Sequence, residues 1–377
     1  MKPQTRFPGF RQMLPRTKKS SHRGFSLVEI MVALVIGMIG VLVIMQVART
    51  TEAQKRITTG TGESQNNGVL AIYAVQRDVR QAGYGLSSLN VLGCPLTVPA
   101  RAPLPGYTLS VLAPVTINPP TSVVPAGDNG TDTLLVVHGN SASSPEGDTI
   151  VSVDSLGTRQ RLGFRSAVSF RNDDWVVVAP PAPDDSCALN LRRIEVHGQT
   201  IDVPNIAAGA GETLFDLGDP PRIVAYAIRD GDLSACDYMR ANCAESSNWT
   251  SIVNGIVSLR VQYGHDTGSP GNIDAWNQKA PNRADFSDPA TRQEKFACAW
   301  ARISAVRLAL VARNGEWQRD EVTPSAPTWK GASGSSDNAT PVPIDLSGNP
   351  DWSHYRYQVY ETVMPLRNIP WMGRCSP

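Results

Sequence analysis

Glu29 is the residue whose surroundings least suit its chemistry in this 377-residue chain. It is a carboxylate followed at once by sixteen residues, 30–45, with no charge and no polar side chain. A charge at membrane depth costs roughly 2.5–3.5 kcal/mol on insertion scales, so an acid in that setting is a functional candidate by default. Six cysteines, Cys94, Cys187, Cys236, Cys243, Cys298 and Cys375, are the second chemically capable group. No C-x-x-C occurs and the five histidines are scattered, which favours structural disulfides over a zinc site. Sequence does not choose among the complete pairings; a local Cys236–Cys243 link and a long-range Cys298–Cys375 link are expected first. The chain has no H-E-x-x-H, no Walker A loop and no G-x-S-x-G elbow, so no enzyme activity, cofactor or small-molecule substrate is expected. Asp266, Asn272 and Asp274 supply too few oxygen ligands for a calcium loop and read as a solvated turn. Arg302, Arg307 and Arg313, spaced by five and six on a strand, do not share one face, which argues against a phosphate-binding row. Trp352, Tyr355, Tyr357, Tyr360 and Trp371 read as half core rather than as an adhesive patch.

Residues 25–47 must position Glu29. At about 1.5 Å per residue a helix of that length reaches roughly 35 Å, enough to cross a bilayer core of about 30 Å. Residues 1–24 carry Lys2, Arg6, Arg11, Arg16, Lys18, Lys19 and Arg23 and no acid, a leader that stays cytoplasmic while the rest is exported. Without it, 28 basic residues face 34 acidic ones, a net charge of −6. That balance gives no global reason to bind nucleic acid. A secretory signal has a shorter apolar centre, about 7–15 residues, and a small-residue cleavage site; Val47-Ala48-Arg49 is a poor one. A plain single-pass anchor explains the length but not Glu29. All six cysteines lie beyond the anchor, which suits an oxidising periplasmic or surface compartment.

Gly24-Phe25-Ser26-Leu27-Val28-Glu29, behind a basic leader and ahead of an unbroken apolar run, resembles the processing site of type IV prepilins and their pseudopilin relatives. The resemblance implies that prepilin peptidase cuts after Gly24, that the new N-terminal Phe25 is methylated, and that Glu29 pairs with a positive N-terminus during filament assembly. Elementary electrostatics agrees with such a role. An α-amino group and a carboxylate are both ordinarily charged at neutral pH, and two opposite charges meeting among apolar helices offset a desolvation neither bears alone.

Between Arg16 and Cys94 there is no proline, so the helix is free to continue. Gly60, Gly62 and Gly68, with Asn66 and Asn67, make residues 58–68 a weak helix or a break. Residues 69–75 resume it, with Leu70, Tyr73 and Ala74 at helical spacing and Arg77, Asp78 and Arg80 flanking the other face. Gly83 and Gly85 are stop signals. Residues 76–85, an Arg/Asp-rich helix end running into Ala-Gly-Tyr, resemble the PilW group of minor pilins. Eight prolines in residues 95–125 predict an extended, irregular connection rather than a helix or central strand. Strands are predicted at 133–138, 149–153, 175–179 and 222–228, with a hairpin turn at Asp230-Gly231. In residues 256–263, Val257, Leu259, Val261 and Tyr263 alternate with Ser258, Arg260 and Gln262, which predicts a strand covered on one side. Its continuation, Tyr263-Gly264-His265-Asp266 and the polar loop to Asp274-Ala275-Trp276, together with residues 302–313 and 355–368, also resembles the PilW pattern. Two long polar connections, about 265–295 and 322–351, are loops of a length that is usually functional or mobile.

The resemblance implies an α+β, pilin-like fold: a long N-terminal hydrophobic helix packed on an antiparallel β-rich head. Its expected parts are a cleaved leader (1–24), a transmembrane and filament-core helix (25–47), a helical extension (48–86) and a periplasmic head (87–377). A head that long calls for two packed sheets or one core with a large insertion. The implied function is a minor pilin that joins other minor pilins and the major pilin in priming or capping a type IV pilus, first in the inner membrane and then at the cell surface. A secretion pseudopilin and a surface-binding subunit that captures DNA or a host ligand are the alternatives.

Overall fold

A computed structural model describes residues 24–141, 144–268, 272–331, 341–369 and 375. The expected leader up to Arg23, and Trp371, lie outside them. The chain divides into two units, residues 1–56 and 57–377. Helix α1, Leu27–Gln81, supplies the whole described structure of the first unit beyond Ser26 and continues into the second. In the first unit the large apolar side chains from Leu27 to Val47 are all more than half exposed. A helix apolar all round with nothing packed on it needs a non-aqueous or protein environment. This segment is long and apolar enough to cross a membrane.

In the second unit α1 buries Ala71, Val75, Val79 and the following Ala82 in a core shared with two antiparallel sheets. The first sheet runs Thr250–Val253, Asp232–Asp237, Arg222–Arg229, Leu134–His138, Val115–Ile117. The second runs Ala275–Asn277, Ile256–His265, Ile303–Arg313, Tyr357–Pro365. The expected hairpin at Asp230-Gly231 joins Arg222–Arg229 to Asp232–Asp237, with Arg229 opposite Asp232. The chain between Leu134–His138 and Arg222–Arg229 builds two more four-stranded sheets around their own core of Ile150, Leu162, Phe170, Ile201 and Val203. The far face of the first sheet packs Leu135, Val137 and Ala225 against Leu96, Val98, Leu189 and Trp175.

Residues 58–68, expected as a weak helix or a break, are helical throughout, and several other expectations are overturned. A Cβ at Gly60 would overlap the amide of Asn314, and one at Gly68 the ring of Tyr360. These glycines are contact points where the helix backbone lies directly on the head, and the packing outweighs a propensity cost of about 1 kcal/mol each. The strand Ile256–His265 is buried on both faces: Ser258 and Gln262 are as inaccessible as Leu259 and Val261. A bulge between Ile256 and Ser258 also moves Val257 off the Leu259 face, to pack with Ala309, Val311, Trp329 and Ile344. That second layer comes from the expected loop 322–351, whose Trp329 is 1% exposed. The proline-rich stretch holds three short strands, and Leu96–Val98, between Pro95 and Pro99, is the middle strand of its small sheet. The strand expected at 149–153 is divided into Asp148–Thr149 and Ser152–Leu156, which pair in different sheets. Within 265–295 the structure adds the start of a helix, α2, Arg292–Ala301, whose Phe296, Ala297, Trp300 and Ala301 are buried.

Candidate functional site

Gly24, Phe25 and Ser26 precede the first turn of α1, and the Ile30 N–H donates to the Ser26 carbonyl at 3.1 Å. A side chain built at Gly24 meets nothing within 4 Å, and Phe25 is 77% exposed. Residues 24 and 25 are thus an open, non-helical peptide ahead of a regular helix. Glu29 lies in the first helical turn, where unpaired backbone N–H groups favour an anion by about 0.3–1 kcal/mol. Among the described residues it has no ion-pair partner. Exposed Ile30, Leu34 and Met38 follow it. A contiguous apolar surface of this extent marks a binding or membrane face. The structure therefore brings Gly24, Phe25 and Glu29 together within about two turns, an open peptide just ahead of a carboxylate that has no ion-pair partner among the described residues.

The cysteines pair completely, as Cys94–Cys187, Cys236–Cys243 and Cys298–Cys375. The last two are the links expected first. Cys236–Cys243 closes the chain after Asp232–Asp237, and Cys298–Cys375 ties α2 to the C-terminal residues. Cys94–Cys187 joins the chain after α1 to the edge of the inserted sheets, beside the parallel pair Leu96–Val98 and Leu189–Asn190.

Of the polar residues that spacing assigns to the outer face of α1, Asp78 is inside, whereas Arg77 and Arg80 are exposed. Asp78 is 2% exposed. Its carboxylate accepts from Tyr226 Oη at 2.8 Å, Arg222 Nη2 at 3.0 Å and Arg77 Nε at 3.1 Å. Burial works against the charged form, but the Tyr226 and Arg222 hydrogen bonds and the Arg222 charge prevail and hold Asp78 below the ordinary carboxylate range. Arg222 also donates to Asp237 at 3.2 Å. Burial and the Asp78 charge push the Tyr226 hydroxyl far up, so it remains a donor. The sequence signal was present: Asp78 follows Ala71, Val75 and the core face at i+3, the spacing of a buried position. A second buried acid, Asp132, accepts from the Val261 N–H at 2.9 Å, Gln278 at 2.6 Å and Asn118 at 3.0 Å. Burial, the dominant influence, raises its carboxyl despite these donors and Arg260.

The remaining candidates among the described residues are engaged in local contacts. Asp274 accepts from the Thr267 N–H at 3.0 Å and its hydroxyl at 2.8 Å, the geometry of a capped turn. Among the described residues no three acidic, His or Cys side chains converge as a metal site. Arg307 stacks on Trp276 at 4.2 Å and Arg313 on Tyr355 at 4.8 Å, while Arg302 caps α2 outside the strand. Trp352, Tyr355, Tyr357 and Tyr360 are half-buried.

An exposed apolar N-terminal helix with a carboxylate in its first turn, continued into an antiparallel β-rich head, is the layout expected of a pilin. Residues 19–45 match the prokaryotic N-terminal methylation motif, and residues 225–368 match the type IV pilus-assembly protein W (PilW) family. In these two regions the chain is similar to PilW-like type IV pilins. The PilW match takes in the three long strands of the second sheet and stops short of the inserted sheets at 148–218. No curated protein and no solved structure matches the chain.

Proposed function

We propose that this pilin is a minor subunit, cut by prepilin peptidase after Gly24, methylated on Phe25, and built with other minor pilins and the major pilin into a priming or tip complex. Its leader faces the cytoplasm and its head the periplasm until assembly carries it to the surface. The observation that carries the reading is Glu29, an unpaired carboxylate in an otherwise apolar, uncovered helix. In lipid this acid is a liability. In a bundle of pilin helices it meets the positive N-terminus of a neighbour, and the pair sets the axial step. The same apolar surface exchanges lipid for other helices, so the work is assembly rather than turnover.

Glu29→Ala tests this. Insertion and leader cleavage should proceed, while incorporation fails, because leaving one side of a buried pair alone costs about 3–5 kcal/mol. Quantitative blotting of sheared pili against membrane fractions reads the outcome, with membrane levels of mature protein as internal control. Normal amounts of the variant in filaments would sink the pairing.

A further inference from the structure

Within the head, α1 has a core face and an opposite face that no described residue covers. The core face is Gly60, Ser64, Ala71, Val75, Asp78 and Val79, all buried. Across the helix stand Val69, Leu70 and Tyr73, exposed by 60%, 52% and 66%. Residues three and four apart adjoin on a helix surface, so Tyr73 lies beside both Leu70 and Val69 and joins them into one patch. The other large apolar residues exposed in the head, such as Val151, Val168, Ile252 and Trp317, are scattered in sequence and on different elements. Single exposed hydrophobics need no explanation, whereas a cluster on one ridge does.

The charge beside the patch is positive. Arg77, one turn beyond Tyr73, spends Nε on Asp78 but keeps its side chain 58% exposed. Arg80 completes the turn, its guanidinium against the Gln76 amide and no carboxylate within ion-pair distance among the described residues. This basic ridge sits on a chain whose charge after residue 24 is −6. Apolar contacts edged by two arginines match a surface of apolar residues edged by carboxylates.

We infer that the ridge of Val69, Leu70, Tyr73, Arg77 and Arg80 is the docking face for the head of a second pilin-type subunit, which meets it with an apolar patch bordered by acidic residues. The inference deepens the proposed function and rests on it: a subunit anchored by a like helix in the same membrane presents its head beside this one. Tyr73 and Leu70 fill the centre of the contact, and Arg80 orients it from the rim.

The test places a photo-reactive phenylalanine at Tyr73 in the full-length chain, in cells that carry the other pilus subunits. The expected product is a single adduct, identified by mass spectrometry as a protein with its own N-terminal methylation motif and cross-linked through an acidic segment. Arg80→Glu should reduce its yield several-fold without changing the amount of mature protein in the membrane. The same sample reports the N-terminus. A processed, membrane-resident subunit that cross-links only to lipid, to itself alone, or to nothing overturns the docking face and leaves the pilin function standing. An unprocessed chain removes both. Leu70→Glu, a substitution at a position more than half exposed, should lower the adduct while leaving the melting temperature of the head unchanged; a head that unfolds instead would show this face to be structural.

Discussion

Replacing Asp78 by Ala removes the acceptor on which three donors converge. Arg77 is more than half exposed, so its share is close to nothing. Removing one side of a buried pair costs about 3–5 kcal/mol when nothing takes its place, but Arg222 keeps Asp237 at 3.2 Å. The buried Tyr226 hydroxyl has no such substitute, and an orphaned donor costs about 1–3 kcal/mol. Together these place the loss near 3 kcal/mol. For a head of this size that lowers the melting temperature by about 6 °C. Full-length protein in detergent, followed by near-UV circular dichroism, reports the head because its tryptophans lie there. The pH dependence carries the sign. Asp78 is held below the ordinary range in the folded state, so its contribution is complete above the unfolded value of about 3.9 and is lost as pH falls through the folded one. The gap between native protein and variant should be full near neutrality and close on acidification below about pH 4. A loss below about 1 kcal/mol, or a gap that persists in strong acid, would refute the buried network.

Gly68→Ala should cost about 1–3 kcal/mol, because its Cβ overlaps the Tyr360 ring; in a Tyr360→Ala background the same change should be neutral or stabilising, and equal penalties in both backgrounds would contradict the close approach. Reduction of the three disulfides should lower the melting temperature, with Cys298→Ser/Cys375→Ser alone costing about 2–4 kcal/mol. Six free thiols in protein recovered from the periplasmic side would refute structural pairing.

What was legible in the sequence was whatever a local pattern encodes. The anchor and Glu29 stand out because charge and hydropathy change within a few residues, and the strands Arg222–Arg229 and Trp175–Ala179 because β-branched runs end at turn residues. What was hidden depends on a distant partner. Gly60 and Gly68 look like breaks until Asn314 and Tyr360 arrive from the other end of the chain. Asp78 looks like a surface acid until Arg222 and Tyr226 are placed beside it, and Ser258 and Gln262 look solvated until Trp329 folds over their sheet. Helix α2 is not legible from local pattern, although Thr291 and Glu294 have the spacing of a capping box ahead of the apolar face, because the preceding Asn282, Asp285, Asp288 and Pro289 read as loop.

The central claim is that Gly24-Phe25 is a processing junction in a chain that assembles through its new N-terminus. Intact mass and N-terminal analysis of the native protein test it most directly. The account predicts a mature chain that begins at Phe25, carries one added methyl group on its α-nitrogen and retains three disulfides. A native protein that keeps residues 1–24, or begins beyond Glu29, would contradict it.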